Sequence, residues 1–298
     1  MNSGVNWVAQ ASKTGAAPSR GRHLANLLSR LYAVPTSAFG TSIVILFVML
    51  GMIGPLIAPY GANQQELQGA RQPPSSAHWF GTDNLGRDVF SRVVLGAGEV
   101  LWLSGAGTLL AVVTGTAIGL LSGYKGGWFD ELIMRLFDSL LALPALLLAL
   151  LFLGILGPSE LSVLIVILVV YTPIVARVVR SVVLSIKSRG FVEAARLQGE
   201  STGWILVREI LPSVLPALAV ESALRFSYAI FLVASLGFLG LGVQPPSPNW
   251  GLMVKEARQS MSQTPWALYY PAAAISLLVI GVNLMADGLK RVIQSIGE

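Results

Sequence analysis

Six stretches of this chain run for roughly the 20 residues a membrane-crossing helix needs with almost no charge, and they decide what the chain is able to fold into. Hydrocarbon offers no water to backbone N–H and C=O groups, so a spanning segment is either a helix or a strand of a closed barrel. Barrel strands alternate apolar and polar residues, and these runs do not alternate. The runs fall near 38–58, 98–122, 134–156, 160–180, 214–243 and 266–287. Only 12% of the residues are charged, about half the share found in soluble domains, which is too little to cover a globular surface in water. The sequence therefore predicts an all-α, polytopic membrane protein with about six transmembrane helices.

Cations set the expected orientation, because cytoplasmic loops carry an excess of Lys and Arg. With the N-terminus inside, segments 1–37, 123–135, 177–210 and 290–298 hold 14 of the 20 cations. Segments 59–92, 157–160 and 244–267 hold five, and Arg225 lies within a span. Both termini are thus expected in the cytoplasm of a cell membrane, and the net charge of +5 reads as loop bias rather than as a nucleic-acid surface. Residues 1–37 lack the apolar run and small-residue cleavage site of a signal peptide. They read as a cytoplasmic tail with a short helix around His23–Tyr32.

Small residues mark one face of the second span. Gly107, Ala111, Gly115, Gly119 and Gly123 recur every four residues, a stripe that lets another helix approach closely. That helix belongs either to this chain or to a partner. In the fifth span Glu221 and Arg225 stand i, i+4, close enough to pair on one helix face. Ionisable groups within a membrane face a partner or a cavity, so the pair reads either as an internal ion pair or as a polar lining of a translocation path. The same logic applies more weakly to Asp138 with Arg135 in the third span, which are expected near the inner interface. Trp250 and Trp266 are expected near the membrane interface, where indole is favoured.

Two connections exceed simple turns, and long loops are often functional. In the extracytoplasmic segment 59–92, Gly81, Asp83, Gly86, Arg87 and Asp88 cluster just before the second span. The favoured reading is a local ion-pair set among Asp83, Arg87 and Asp88 that orients the loop; direct substrate contact is the other. In the inside segment, Phe191–Gln198 favours helix, Gly199 suits a left-handed helix stop, Ser201 or Thr202 suits a cap, and Pro212 is expected to limit a second short helix. The pattern is helix–turn–helix, which physics alone leaves as a solvated loop or a docking element.

Catalytic equipment is missing. The chain has no cysteine and two histidines, His23 and His78, expected on opposite sides of the membrane. It carries no G-x-x-x-x-G-K-[ST] phosphate loop and no H-E-x-x-H. An integral membrane enzyme would need convergent side chains on one side. An ion-coupled secondary transporter would need internal repeats, and none is visible.

The inside segment also carries a pattern in its residues. Glu193, Ala194, Ala195, Gly199, Leu211 and Pro212 resemble the EAA loop of importer-type ABC transporter permeases. Pro73-Pro74-Ser75, His78 and Gly81–Arg92 are similar to the stretch before the second span in the C-type member of dipeptide, oligopeptide and nickel permease pairs. Leu141–Pro144, Gly237–Gly242 with Gln244-Pro245-Pro246 and Trp250-Gly251, and Asn283–Leu289 fit the same family, so the resemblance covers about residues 38–291. Glu209 departs from it, standing where His or an aliphatic residue is common.

The resemblance implies a type I ABC importer transmembrane architecture: an N-terminal tail (1–37), a permease domain (38–291) with a cytoplasmic coupling loop (184–212), and a C-terminal tail (292–298). It implies a non-catalytic subunit that forms half of a peptide pathway, with nickel, glutathione or another small solute as the alternative cargo. Glu193, Ala194, Ala195, Arg196, Gly199, Leu211 and Pro212 would dock on an ATPase subunit. The implied partners are a homologous B-type permease, one or two kinds of P-loop ATPase, an extracytoplasmic substrate-binding protein and membrane lipid, with no nucleic acid. The chain would bind no cofactor itself; ATP and Mg would sit on the ATPase subunits.

Overall fold

The computed structural model describes Tyr32 and residues 34–294. The helix expected around His23–Tyr32 lies, apart from Tyr32, outside them. The fold is all-α. Five described helices are long and apolar enough to cross a membrane, and six segments qualify if one bent pair counts as a single span.

The first span, α1 (Pro35–Ile57), carries no charge and starts on a proline, whose missing N–H costs nothing in a first helical turn. A mostly irregular segment follows, with a 3-10 turn at Leu67–Gly69. The second span, α2 (Val89–Lys125), starts inside the segment expected as a loop, because Asp88 caps it by accepting from the Ser91 N–H at 2.7 Å. Its 37 residues make it longer than the apolar layer, about 54 Å against about 30 Å, so its ends project from the bundle.

The small-residue stripe of α2 meets α5 (Glu160–Ile186) of the same chain. A Cβ built on Gly107 would lie 2.8 Å from Ile167, and one on Gly119 would lie 2.5 Å from the Ala176 carbonyl. Only glycine permits that approach, and it makes α2 with α5 the most extensive helix pair of the fold.

The third expected span is not one straight helix. It is α3 (Gly127–Leu141) followed by α4 (Ala145–Leu156), bent by 93° between them. Pro144 explains the elbow: it lacks the N–H the helix would use, and it drives the preceding residue out of helical geometry. At twelve residues α4 is too short to cross alone.

Pro212, expected to limit a second short helix, lies inside a long one. The helix preceding it does not stop there. After α6 (Gly190–Leu197), the helix α7 runs unbroken from Thr202 to Leu239. Ile205–Ile210 forms a π-helical stretch and Pro212 follows at the start of regular α geometry. A widened turn relieves the clash of a proline ring with the carbonyl four residues back. Glu221 consequently falls at the midpoint of α7 rather than near one end of a span starting at 214.

The remaining elements are α8 (Trp250–Arg258) and the last span, α9 (Pro265–Gln294). Trp250 does not sit at a lipid interface. It is fully buried, donates its indole N–H to the Val93 carbonyl at 2.9 Å and meets Phe47 edge-on. Trp266 is half-buried and donates to the Thr82 carbonyl at 2.9 Å. Inside the bundle Asn283 of α9 donates to Ser227 of α7 at 2.8 Å. Residues 58–88 and 240–264 gather at one end of the bundle, and residues 187–204 at the other.

Candidate functional site

At the second of these ends, α6 is a separate amphipathic piece. Val192 and Ala195, three apart, turn inward and join Ile205, Leu206, Ile210 and Val214 of α7 and Val183 and Ile186 of α5 in one apolar cluster. Glu193, Ala194 and Leu197 face outward, with Leu197 87% exposed and Phe191 beside them half-exposed. The adjacent alanines therefore do different work. Ala195 seats the helix on its own chain, and Ala194 leaves the outer face low enough for another surface to come close.

The turn after α6 is set by Gly199, whose φ is +80°. Its N–H closes on the Arg196 carbonyl at 3.0 Å, and Ser201 then caps α7 by accepting from the Trp204 N–H at 3.3 Å. Leu211 is half-buried, whereas Pro212 is exposed on α7.

Arg196 points back into the protein. Its Nε donates to the Tyr124 hydroxyl at 3.0 Å, and its guanidinium lies 4.7 Å from that ring. Lys187 donates to the Gly123 carbonyl at 3.0 Å, where the exposed carbonyls of the end of α2 favour a cation. Arg180 of α5 grips Asp130 of α3 through two bonds of 2.6 and 2.5 Å, and Ser122 of α2 donates to the same carboxylate. The first of these contacts ties α6 to α2, and the others tie α2, α3 and α5 to one another beneath it. No local pattern announces Tyr124, Lys187, Asp130 or Ser122, because their partners are 8 to 72 residues away.

At the opposite end, Arg87 and Asp83 pair at 2.6 Å, as their spacing suggested. Asp88 does not join them. It caps α2 and meets His78 Nδ1 at 2.9 Å. Gly81 and Gly86 take positive φ in the turns that frame the set. Arg87 reaches instead to Glu256 of α8, at 2.5 Å, and the same carboxylate lies 3.6 Å from Arg92. Arg92 is 1% exposed, and among the described residues its Nε and Nη2 find no hydrogen-bond acceptor. Glu256 thus shares Arg87 with Asp83 and is also the carboxylate within reach of the buried Arg92. Removing one partner of a buried pair leaves the other charge uncompensated. Glu256→Gln is expected to lower stability by about 2 kcal/mol, less than a fully buried pair because solvent reaches this carboxylate. Heating the detergent-solubilised protein checks this, as an apparent Tm about 5 °C lower.

The third cluster lies within the bundle. Arg225 Nε stands 2.8 Å from Glu221 Oε1 on α7, and the guanidinium lies over the rings of Tyr228 and Tyr171 at 4.8 and 5.8 Å. Arg225 lines a furrow of about 380 Å³ between the α3–α4 elbow, α5 and α7; Glu221 does not. The weaker pair expected in the third span is absent. Asp138 bonds Arg177 of α5, and Arg135 bonds Glu131 on the outer face at 2.6 Å. Among the described residues no three His, Asp or Glu side chains are placed to hold a metal ion.

Residues 115–295 match the family model described as the binding-protein-dependent transport system inner membrane component. The chain is 41% identical over 251 residues to the dipeptide transport system permease protein of Alkalihalophilus pseudofirmus, covering 84% of this chain and 83% of that one. It is 39% identical over 248 residues to the glutathione transport system permease protein of Pectobacterium atrosepticum, covering 83% and 82%. Against the glutathione transport system permease protein of an Escherichia coli strain the identity is 42% over 252 residues, again covering 83% and 82%.

Proposed function

This chain belongs to the family of binding-protein-dependent transport system inner membrane components, the non-catalytic membrane subunits of ABC importers, and from that we propose how its two ends and its furrow act in the import of peptides. The outer face of α6, with Glu193, Ala194 and Leu197, docks on a cytoplasmic P-loop ATPase subunit. A homologous second permease completes the pathway, and an extracytoplasmic binding protein delivers cargo to the end that carries residues 58–88. Both termini then lie in the cytoplasm. ATP and Mg are held by the ATPase subunits.

The observation that carries this reading is the way α6 is mounted. Its outward face is bare and partly apolar, and its inward face is fixed to α2, α5 and α7 by packing and by the Arg196–Tyr124 contact. A push on α6 therefore moves long helices that reach the far end of the bundle. ATP binding closes the ATPase pair and draws the two permeases' docking helices together, which favours the outward-open state. Hydrolysis restores the inward-facing one. Such a cycle couples only because each ligand binds the two states unequally. The furrow beside Arg225 is this chain's share of the pathway.

The relatives carry dipeptide and glutathione names at nearly equal identity, so glutathione is the second cargo to test. The purified complex with its binding protein is expected to raise its ATP hydrolysis when given di- or tripeptides. A complex that responds to none of these, nor to glutathione, contradicts the reading.

A further inference from the structure

Arg225 is the one charged residue in the furrow's lining. The walls around it are apolar, among them Leu143, Leu146, Val170, Ile174 and Phe231, and a second space of about 360 Å³ continues past Phe231 and Ser235 toward α9. The closest approach of Arg225 to Glu221 is its Nε, 2.8 Å from Oε1, in a geometry that makes no hydrogen bond. No nitrogen of the guanidinium makes a hydrogen bond among the described residues, although the side chain is only 13% exposed.

We propose that Arg225 is a carboxylate-receiving station in the pathway, which grips the C-terminal carboxylate of a passing peptide with its Nη edge while Glu221 stands as counter-charge beside Nε. The proposal rests on the reading of the furrow as translocation path. A guanidinium is a planar fork that matches a carboxylate with two parallel bonds, and here one edge of the fork is left over. Glu221 has a definite part in this. An unpaired cation at this depth would be costly, so Glu221 stabilises the empty station, and it also weakens the grip by sharing the positive charge. A transport site must bind well enough to admit cargo and loosely enough to release it. Tyr171 and Tyr228 hold the guanidinium between their faces, an attraction that survives whichever carboxylate is bound. The apolar walls elsewhere ask little of the cargo's side chains, so the constant group is the one recognised.

The test uses the complete complex in proteoliposomes, with alanyl-alanine, trialanine and glutathione, each as the free acid and as the C-terminal amide. The readout is the acid-to-amide ratio of uptake rates, in which the binding protein's own preference cancels between variants. Arg225→Gln is expected to lower that ratio about tenfold, as loss of one charge-assisted contact does. Glu221→Gln is expected to act oppositely on affinity: KM for the acid falls, and kcat falls with it as release slows. A merely structural ion pair moves KM in the same direction in both variants. If Arg225→Gln fails to assemble, Glu221→Gln/Arg225→Gln removes both charges at once and is expected to show the same fall in ratio. A ratio unchanged in a variant that still transports overturns the station and leaves the importer reading intact. A wild-type complex that transports none of the three probes overturns the peptide reading and the station with it.

Discussion

Gly199→Pro is expected to leave the chain inserted in the membrane and to reduce ATP-driven uptake to background. The native φ of +80° is out of reach for proline, whose ring holds φ near −65°. Proline also removes the N–H that closes on the Arg196 carbonyl. The turn is lost, and α6 is no longer held at its angle to α7. Nothing else lies within 4 Å of a Cβ at this position, so the change strains the backbone without a steric clash. That separates two substitutions with the same added carbon. Gly199→Ala costs about 1 kcal/mol of left-handed strain and is expected to lower uptake partially. Gly199→Asn tolerates that conformation and is expected to stay near wild type. Uptake measured at matched membrane levels of the three variants checks the order Asn, Ala, Pro.

Leu197→Asp is expected to break docking with the fold intact. Leu197 is 87% exposed, so this chain loses no packing of its own. In the proposed complex this side chain, the most exposed large apolar one on α6, meets the ATPase subunit, and a carboxylate there would be desolvated. A central interface residue of this kind contributes about 2–4 kcal/mol, which corresponds to a roughly 30- to 700-fold weaker association. Binding of the purified ATPase subunit to the permease pair, measured with wild type and variant side by side, reads this directly. An equal change at the inward residue of the same helix, Val192→Asp, is expected to lower the yield of folded permease instead, because Val192 is wholly buried.

The spans were legible because an uninterrupted apolar run has one stable form in a bilayer. The small-residue stripe was legible as a contact, and Gly199 as a turn, because each rests on local geometry. What the sequence hid was set by distant partners. Pro144 and Pro212 look alike as helix breakers. One makes a 93° elbow, and the other is absorbed by a π-helical stretch that the packing of Ile205, Leu206 and Ile210 holds in place. Trp250 left the expected interface because Val93 offered its indole an acceptor inside. Asp88 and Arg87 are neighbours in sequence, yet they serve His78 and Glu256, and no local spacing announces either pair. In the segment proposed to dock, the EAA pattern says nothing of inside and outside, which the contacts of Val192, Ala195 and Arg196 decide. Leu197, the most exposed large apolar residue of α6, stood outside the pattern.

In the proposed cycle α6 is the place where force enters this chain, and the cysteine-free sequence permits a direct measurement. A single Leu197→Cys substitution in the assembled complex, given a short photo-activated thiol cross-linker, is expected to join this chain to the ATPase subunit, with a yield that changes when ATP is added. A Cys at that position labelled at the free-solvent rate by a soluble thiol reagent, and cross-linked to nothing in any nucleotide condition, would contradict it.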